Sequence, residues 1–330
     1  MCLSRFTLVV VADKSCSLQF SPSDPEWTRI VIMDSLATLP YLEELQVLLG
    51  GGSASTLRLE QLTNLRKITV TGITDDYRSE VVPGLRTLIS NSSSLSHLHV
   101  DNSSYRAEYD TSTLHDLLDG ECPNTLLNLT HLNVRGLCIL LDARTIPHLR
   151  SLESLNLCNV VDTRHDDLSH LDNLTSREEL VERTANFCSS LNDIWDVLRE
   201  EGVFLKDIVV DKVTGALVNY LDAYSGLRSL TLAGATSASN KLAERFYNDV
   251  LPRHVQTLVF LEIIPQDEGK WCFGKHNMDT FLQCTRLSTL KVAIQLSEID
   301  REKDFDVVVS LRILTISQLW SLIHLYSGPS

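Results

Sequence analysis

The chain has 330 residues, 43% of them hydrophobic and 22% charged, and a net charge of −14 from 43 acids against 29 bases. That composition suits a globular chain with a sizeable core and excludes a disordered or collagen-like one. No run of Lys and Arg could track a phosphate backbone, so nucleic acid is not an expected partner, and no apolar stretch is long enough for a membrane span.

One phrase recurs in chain order, Leu-x-x-Leu-x-Leu with apolar variants. Its copies are Leu3, Phe6, Leu8; Trp27, Ile30, Ile32; Leu42, Leu45, Val47; Leu65, Ile68, Val70; Leu95, Leu98, Val100; Leu129, Leu132, Val134; and Leu152, Leu155, Leu157. Further on come Leu205, Ile208, Val210; Leu227, Leu230, Leu232; Val255, Leu258, Phe260; Leu287, Leu290, Val292; and Leu311, Leu314, Ile316. Central residues are mostly 22 to 34 apart. The fourth and sixth positions of the phrase alternate, so both side chains point to one face of a short strand. A single strand cannot bury that face. Stacked copies pair in parallel and share one core, and each needs a crossover helix to return the chain.

Helical spacing marks residues 79–89 through Val82, Leu85, Leu88 and Ile89, a shorter piece at 114–118, and 242–251 through Leu242, Phe246, Val250 and Leu251. Weaker patterns lie at 278–282 and 299–305. The period breaks between Leu155 and Ile208, where 53 residues separate two centres. Residues 162–177 are polar, while 178–187 and 192–200 read as helices, the second through Ile194, Trp195, Val197 and Leu198. We therefore expect one α/β leucine-rich-repeat horseshoe over residues 1–330, a solenoid with its parallel sheet on the concave face and helices on the convex face. A degenerate repeat or inserted helical segment lies near 161–204. A second break, 265–276, is a loop carrying Trp271 and Phe273.

The eight cysteines at 2, 16, 122, 138, 158, 188, 272 and 284 form no C-x-x-C pair, which favours reduced, buried thiols and a cytoplasmic or nuclear setting. Four Asn-x-Ser/Thr sequons stand against that setting, at Asn91, Asn102, Asn128 and Asn173. Asn128 enters a predicted strand, a poor place for a glycan. The apolar run from Phe6 to Val11 is short for a secretory signal and fits the repeat instead.

The repeats with long, variable returns resemble the ribonuclease-inhibitor-like leucine-rich-repeat superfamily, and most of all the repeat domains of fungal F-box-like proteins. The resemblance is carried by Pro83-Gly84-Leu85-Arg86-Thr87-Leu88-Ile89 running into Leu95-Ser96-His97-Leu98-His99-Val100, by Val250-Leu251-Pro252-Arg253-His254, and by Gly269-Lys270-Trp271-Cys272-Phe273-Gly274. It implies a repeat domain that selects a protein substrate for ubiquitination. With a strand phrase already at Leu3, no F-box is visible, and we expect either a truncated relative or a repeat-only protein.

Residues flanking the buried pair point to the concave face. They offer Lys67, His97, His99, Asp101, His131, Asn133, Arg135 and Asn156 as a binding surface. At the ~4.8 Å spacing of neighbouring strands, His97 should lie beside His131 and His99 beside Asn133. The surface suits a protein partner, and its histidines titrate near neutrality. Trp271 and Phe273 are either an aromatic anchor or cover for the core. No closed set of metal ligands and no nucleophile with an adjacent base is visible, so we expect a monomeric, non-catalytic binding protein without metal or cofactor. Two alternatives remain. One is a metal-dependent hydrolase built on His165, Asp166, Asp167, His170 and Asp172. The other is a truncated repeat protein that has lost its partner. Gly50-Gly51-Gly52 lacks the Lys-Ser/Thr of a phosphate loop and reads as a turn.

Overall fold

In a computed structural model, residues 7–11, 14–20, 26–49, 57–73, 75–102, 114–118, 126–137, 139–160 and 190–294 are described. The predicted helices at 178–187 and 299–305, the Leu311 phrase, the Gly50 turn and the cluster from His165 to Asp172 lie outside these residues. The chain divides into two compact units, Met1–Phe204 and Leu205–Ser330. Both are α/β, built on parallel strands.

In the first unit the strands are β1 (Thr7–Val11), β2 (Ser15–Phe20), β3 (Glu44–Leu49), β4 (Lys67–Ile73), β5 (His97–Asn102), β6 (His131–Arg135) and β7 (Ser154–Cys158). β1 pairs antiparallel with β2, and every later neighbour pair to β7 is parallel. The helices are α1 (Glu26–Ala37), α2 (Asp75–Ser90), α3 (Leu114–Leu118), α4 (Ile146–Leu149) and α5 (Leu191–Glu200).

The repeat phrase dictates the pairing. Leu45, Ile68, Leu98, Leu132 and Leu155 align across five strands, and Val47, Val70, Val100, Val134 and Leu157 form the next row. None of these ten side chains is more than 3% exposed. Shifting one strand by one residue would turn its pair out of the core, at about 1.5–3 kcal/mol per large side chain. The helices cover this face. Val82 and Leu85 of α2 and Leu117 of α3 meet Ile73 and Val100 around a small apolar void.

The predicted phrase at Trp27, Ile30 and Ile32 is helix, not strand. α1 buries Arg29, Met33 and Leu36, spaced four and three apart, and leaves Trp27 67% exposed. A three-then-two spacing of apolar residues does not exclude a helix, and no in-register neighbour fixes it as a strand. The strand that pairs with β3 is β2, where Cys16 opposes Leu45 and Leu18 opposes Val47. Its first phrase position is Asp13, which hid it from the pattern.

A turn recurs two residues beyond the sixth phrase position. Gly72 and Gly136 occupy it with φ of +76° and +64°, and Asn159 with φ of +52°. A Cβ on Gly136 would strike the Asn102 carbonyl, and one on Gly72 would strike that of Leu49. Only glycine fits such an approach without strain. The β4–β5 register shifts between Thr71 and Ile73, the signature of a bulge at Gly72.

α5 shows why the segment after the break still folds. Ser190 Oγ accepts from Asp193 N–H at 3.2 Å and Asp193 Oδ2 accepts from Ser190 N–H at 3.1 Å, a reciprocal cap. Leu191, Ile194, Trp195 and Leu198 form the buried face.

The second unit holds β8 (Asp207–Val210), β9 (Ser229–Ala235), β10 (Phe260–Pro265) and β11 (Thr289–Val292), all parallel. Its helices are α6 (Gly215–Asp222), α7 (Asn240–Arg245), α8 (Leu251–His254) and α9 (Met278–Gln283), with a π-turn at Phe246–Val250 between α7 and α8. The predicted phrase Val255, Leu258, Phe260 sits three residues early. The buried set is Leu258, Leu261 and Ile263, with Leu261 opposite Leu230 and Ile263 opposite Leu232. Both registers satisfy the pattern. The chain turns at His254, whose carbonyl accepts from the N–H groups of Thr257 and Leu258 at 2.9 Å each, so the strand starts later.

The return segment repeatedly satisfies a backbone donor at the start of its own repeat. Leu65 N–H donates to Ser92 Oγ at 3.2 Å, and Leu127 N–H to His148 Nδ1 at 3.0 Å. In the second unit Leu205 N–H donates to Tyr220 Oη at 2.9 Å, and Leu227 N–H to His254 Nδ1 at 3.4 Å. These N–H groups precede the ladder, so a side chain of the return segment replaces the missing strand partner.

Candidate binding face on the parallel sheet

The other face of the first unit's sheet is polar and falls into three rows set by the register. The first row runs Ser15, Glu44, Lys67, His97, His131, Ser154. The second runs Ser17, Gln46, Thr69, His99, Asn133, Asn156, and the third Gln19, Leu48, Thr71, Asp101, Arg135, Cys158. The expected neighbours are neighbours: His97 pairs with His131 and His99 with Asn133. Lys67 and Asn156 join them in the same rows, and Asp101 lies opposite Arg135.

The first row is the most ordered. The rings of His97 and His131 stack with centroids 4.0 Å apart and planes 9° from parallel. Each Nδ1 lies 2.9 Å from the hydroxyl of the preceding residue, Ser96 or Thr130. Lys67 pairs with Glu44 at 3.6 Å. Burial holds the His97 pKa below its ordinary value, helped by His131 and Lys67, while Glu44 opposes the shift.

The second row carries an uncompensated cost. His99 Nε2, Asn133 Oδ1 and Asn156 Oδ1 are enclosed, yet none has a hydrogen-bond partner among the described residues. Buried polar atoms without partners cost about 1–3 kcal/mol each and call for an explanation. These three lie on consecutive strands, in one row. His99 is also held below its ordinary pKa, chiefly by burial, with Arg135 adding to the shift and Asp101 opposing it. In the third row Arg135 and Asp101 are 3.8 Å apart, a half-exposed pair of modest worth.

Parallel stacking bears on metal binding. A metal lies in the plane of each imidazole that binds it, and two planes 4.0 Å apart and nearly parallel share no such point. Among the described residues, no group of three or more His, Cys, Asp or Glu is placed to hold a metal ion.

Trp271 and Phe273 are not an exposed anchor. Trp271 is 0% exposed and Phe273 4%. Trp271 Nε1–H donates to Ser239 Oγ at 2.7 Å, and the Trp271 carbonyl accepts from Tyr247 Oη at 2.9 Å. Lys270 N–H donates to Asn240 Oδ1 at 2.8 Å, pinning the loop to the start of α7. The partners lie 24 to 32 residues away, out of reach of a local pattern.

Sequence reasoning missed Ser96 and Thr130, which orient the two imidazoles. The signal was there: Ser96-His97 and Thr130-His131 stand at the same place in successive phrases. No helix among the described residues is long and apolar enough to cross a membrane. No protein-family model matches the chain, and no curated protein matches it.

Proposed function

We propose that this chain is a non-catalytic recognition protein of the leucine-rich-repeat type, and that it binds a protein partner through the polar face of β4 to β7. The supporting observation is the second row. Three enclosed, unpartnered polar atoms on neighbouring strands, at His99, Asn133 and Asn156, are a cost the fold alone does not repay. A bound chain that bonds to them removes it. The horseshoe architecture belongs to this reading and rests on the in-register phrase and its parallel strands.

The setting that fits is substrate selection for ubiquitination in the cytoplasm or nucleus. It is supported by the resemblance of the repeat phrases to fungal F-box-like proteins. Affinity capture with the full chain tests both parts. Wild type is compared with a variant carrying Ala at His97, His131 and Arg135. The expected result is loss of specific captured proteins with an unchanged melting midpoint. Identical captures from the two proteins would overturn the assigned face, and no recovery of a ubiquitin-ligase adaptor would sink the setting.

A further inference from the structure

The protons on the first row decide what it binds. Arg66 O accepts from the N–H groups of Ser96 at 2.9 Å and His97 at 3.1 Å, and Ser96 O accepts from those of Thr130 at 2.9 Å and His131 at 3.0 Å. The hydroxyls of Ser96 and Thr130 donate to the same carbonyls at 3.2 and 3.1 Å. Each hydroxyl oxygen also lies 2.9 Å from a ring nitrogen, the Nδ1 of His97 or His131. A protonated imidazole donates through Nδ1 to that hydroxyl, which leaves its Nε2–H for a ligand. The rings are parallel and held by the same edge, so the two Nε2–H groups project side by side. Lys67, in register with His97, adds a half-exposed ammonium.

We infer that the His97–His131 stack is a carboxylate seat, which takes an Asp or Glu side chain from an acidic peptide segment and tightens as the imidazoles gain a proton. The inference rests on the recognition reading above and names its partner. Two parallel N–H donors match the two oxygens of a carboxylate, and protonation supplies those donors with a positive charge. The groups that face the pair are Lys67, Glu44 and Arg66 from the β3–β4 side, with His99, Asp101 and Arg135 in the adjoining rows. Glu44 is engaged by Lys67 and Arg66 by Glu43, each at 3.6 Å, while no ion pair among the described residues engages His97 or His131. A positive charge on His131 opposes one on His97, 4.0 Å away. The body's net charge of −14 opposes an acidic ligand at long range. Screening over about 8 Å at physiological salt confines that opposition to nearby charges.

The test is peptide binding to the full chain by fluorescence anisotropy. The probes are a capped Gly/Ser peptide with two glutamates, the same peptide with glutamines, the same with lysines, and an oligothymidylate. The expected result is that the glutamate peptide binds about ten-fold tighter at pH 6.0 than at pH 7.5, following imidazole protonation. The other three should bind weakly at both. His97→Phe with His131→Phe keeps the stack and removes the donors, so it should abolish the pH response without lowering the melting midpoint. Lys67→Ala should weaken binding at both pH values. Equal binding of the glutamate and glutamine peptides would overturn the inference. So would preference for the lysine peptide or the oligonucleotide, or a pH response that survives the double substitution. If the glutamate peptide fails while partner capture still depends on Asn133 and Arg135, the carboxylate seat falls and the recognition reading stands.

Discussion

His254 accepts the backbone N–H of Leu227 on Nδ1 at 3.4 Å, while its Nε2–H donates to the Leu221 carbonyl at 3.1 Å. One neutral imidazole thus ties the start of β9 to the helix that precedes it. Both bonds require that tautomer, and burial holds the ring's pKa below its ordinary value. His254→Phe leaves an enclosed donor and an enclosed acceptor unpaired. We expect a loss of about 2–4 kcal/mol, read from urea unfolding of the full chain.

The same residue sets a pH dependence. As pH falls through about 6.5, the unfolded chain takes up the proton before the folded one does. The stability contribution is full above that value and erodes as pH falls towards the folded-state pKa of His254. His148, whose pKa is likewise lowered by burial, acts in the same direction. Urea midpoints should therefore drop between pH 7 and pH 5.5, and His254→Phe should show a smaller drop than wild type. An equal drop in both would remove His254 from the account.

Gly136 and Gly202 both have positive φ, +64° and +68°, but a Cβ at Gly136 meets the Asn102 carbonyl while one at Gly202 meets nothing within 4 Å. Gly202→Ala should cost about 1 kcal/mol for the backbone conformation alone. Gly136→Ala adds a backbone clash and should cost clearly more. Thermal melts of the pair separate the two contributions, and equal costs would mean that β5 yields at Asn102.

Asn133→Leu and Asn156→Leu probe the unpartnered row. Removing an unpaired polar atom is neutral or favourable, so stability should stay level or rise by up to about 1 kcal/mol while partner capture is lost. A fall of more than about 2 kcal/mol would mean that these amides serve the fold instead.

Trp271→Ala should cost about 3–5 kcal/mol, because it empties a core site that Ser239, Phe246 and Tyr247 enclose. Trp27→Ala, on the exposed side of α1, should stay within about 0.5 kcal/mol of wild type. Denaturant unfolding followed by circular dichroism compares them without relying on either tryptophan as a probe.

Much of the fold was legible because the alternation that marks a half-buried strand lies within six residues. Leu65, Ile68, Val70 and Leu95, Leu98, Val100 needed no partner to declare their faces. Their strand spacing by itself places His97 beside His131. The pattern failed where two local solutions satisfied it. Trp27, Ile30 and Ile32 suit a helix as well as a strand, and Val255 to Ile263 holds two overlapping copies of the phrase. Pairing partners and the turn at His254 chose between them, and those are contacts between residues about 30 apart. Burial of Trp271, the tilt that stacks two imidazoles, and the unpaired atoms of His99, Asn133 and Asn156 belong to the same class. Short-range alternation states which face a side chain takes. Its neighbours on that face, and whether they satisfy it, come from chain segments that meet only in the folded protein.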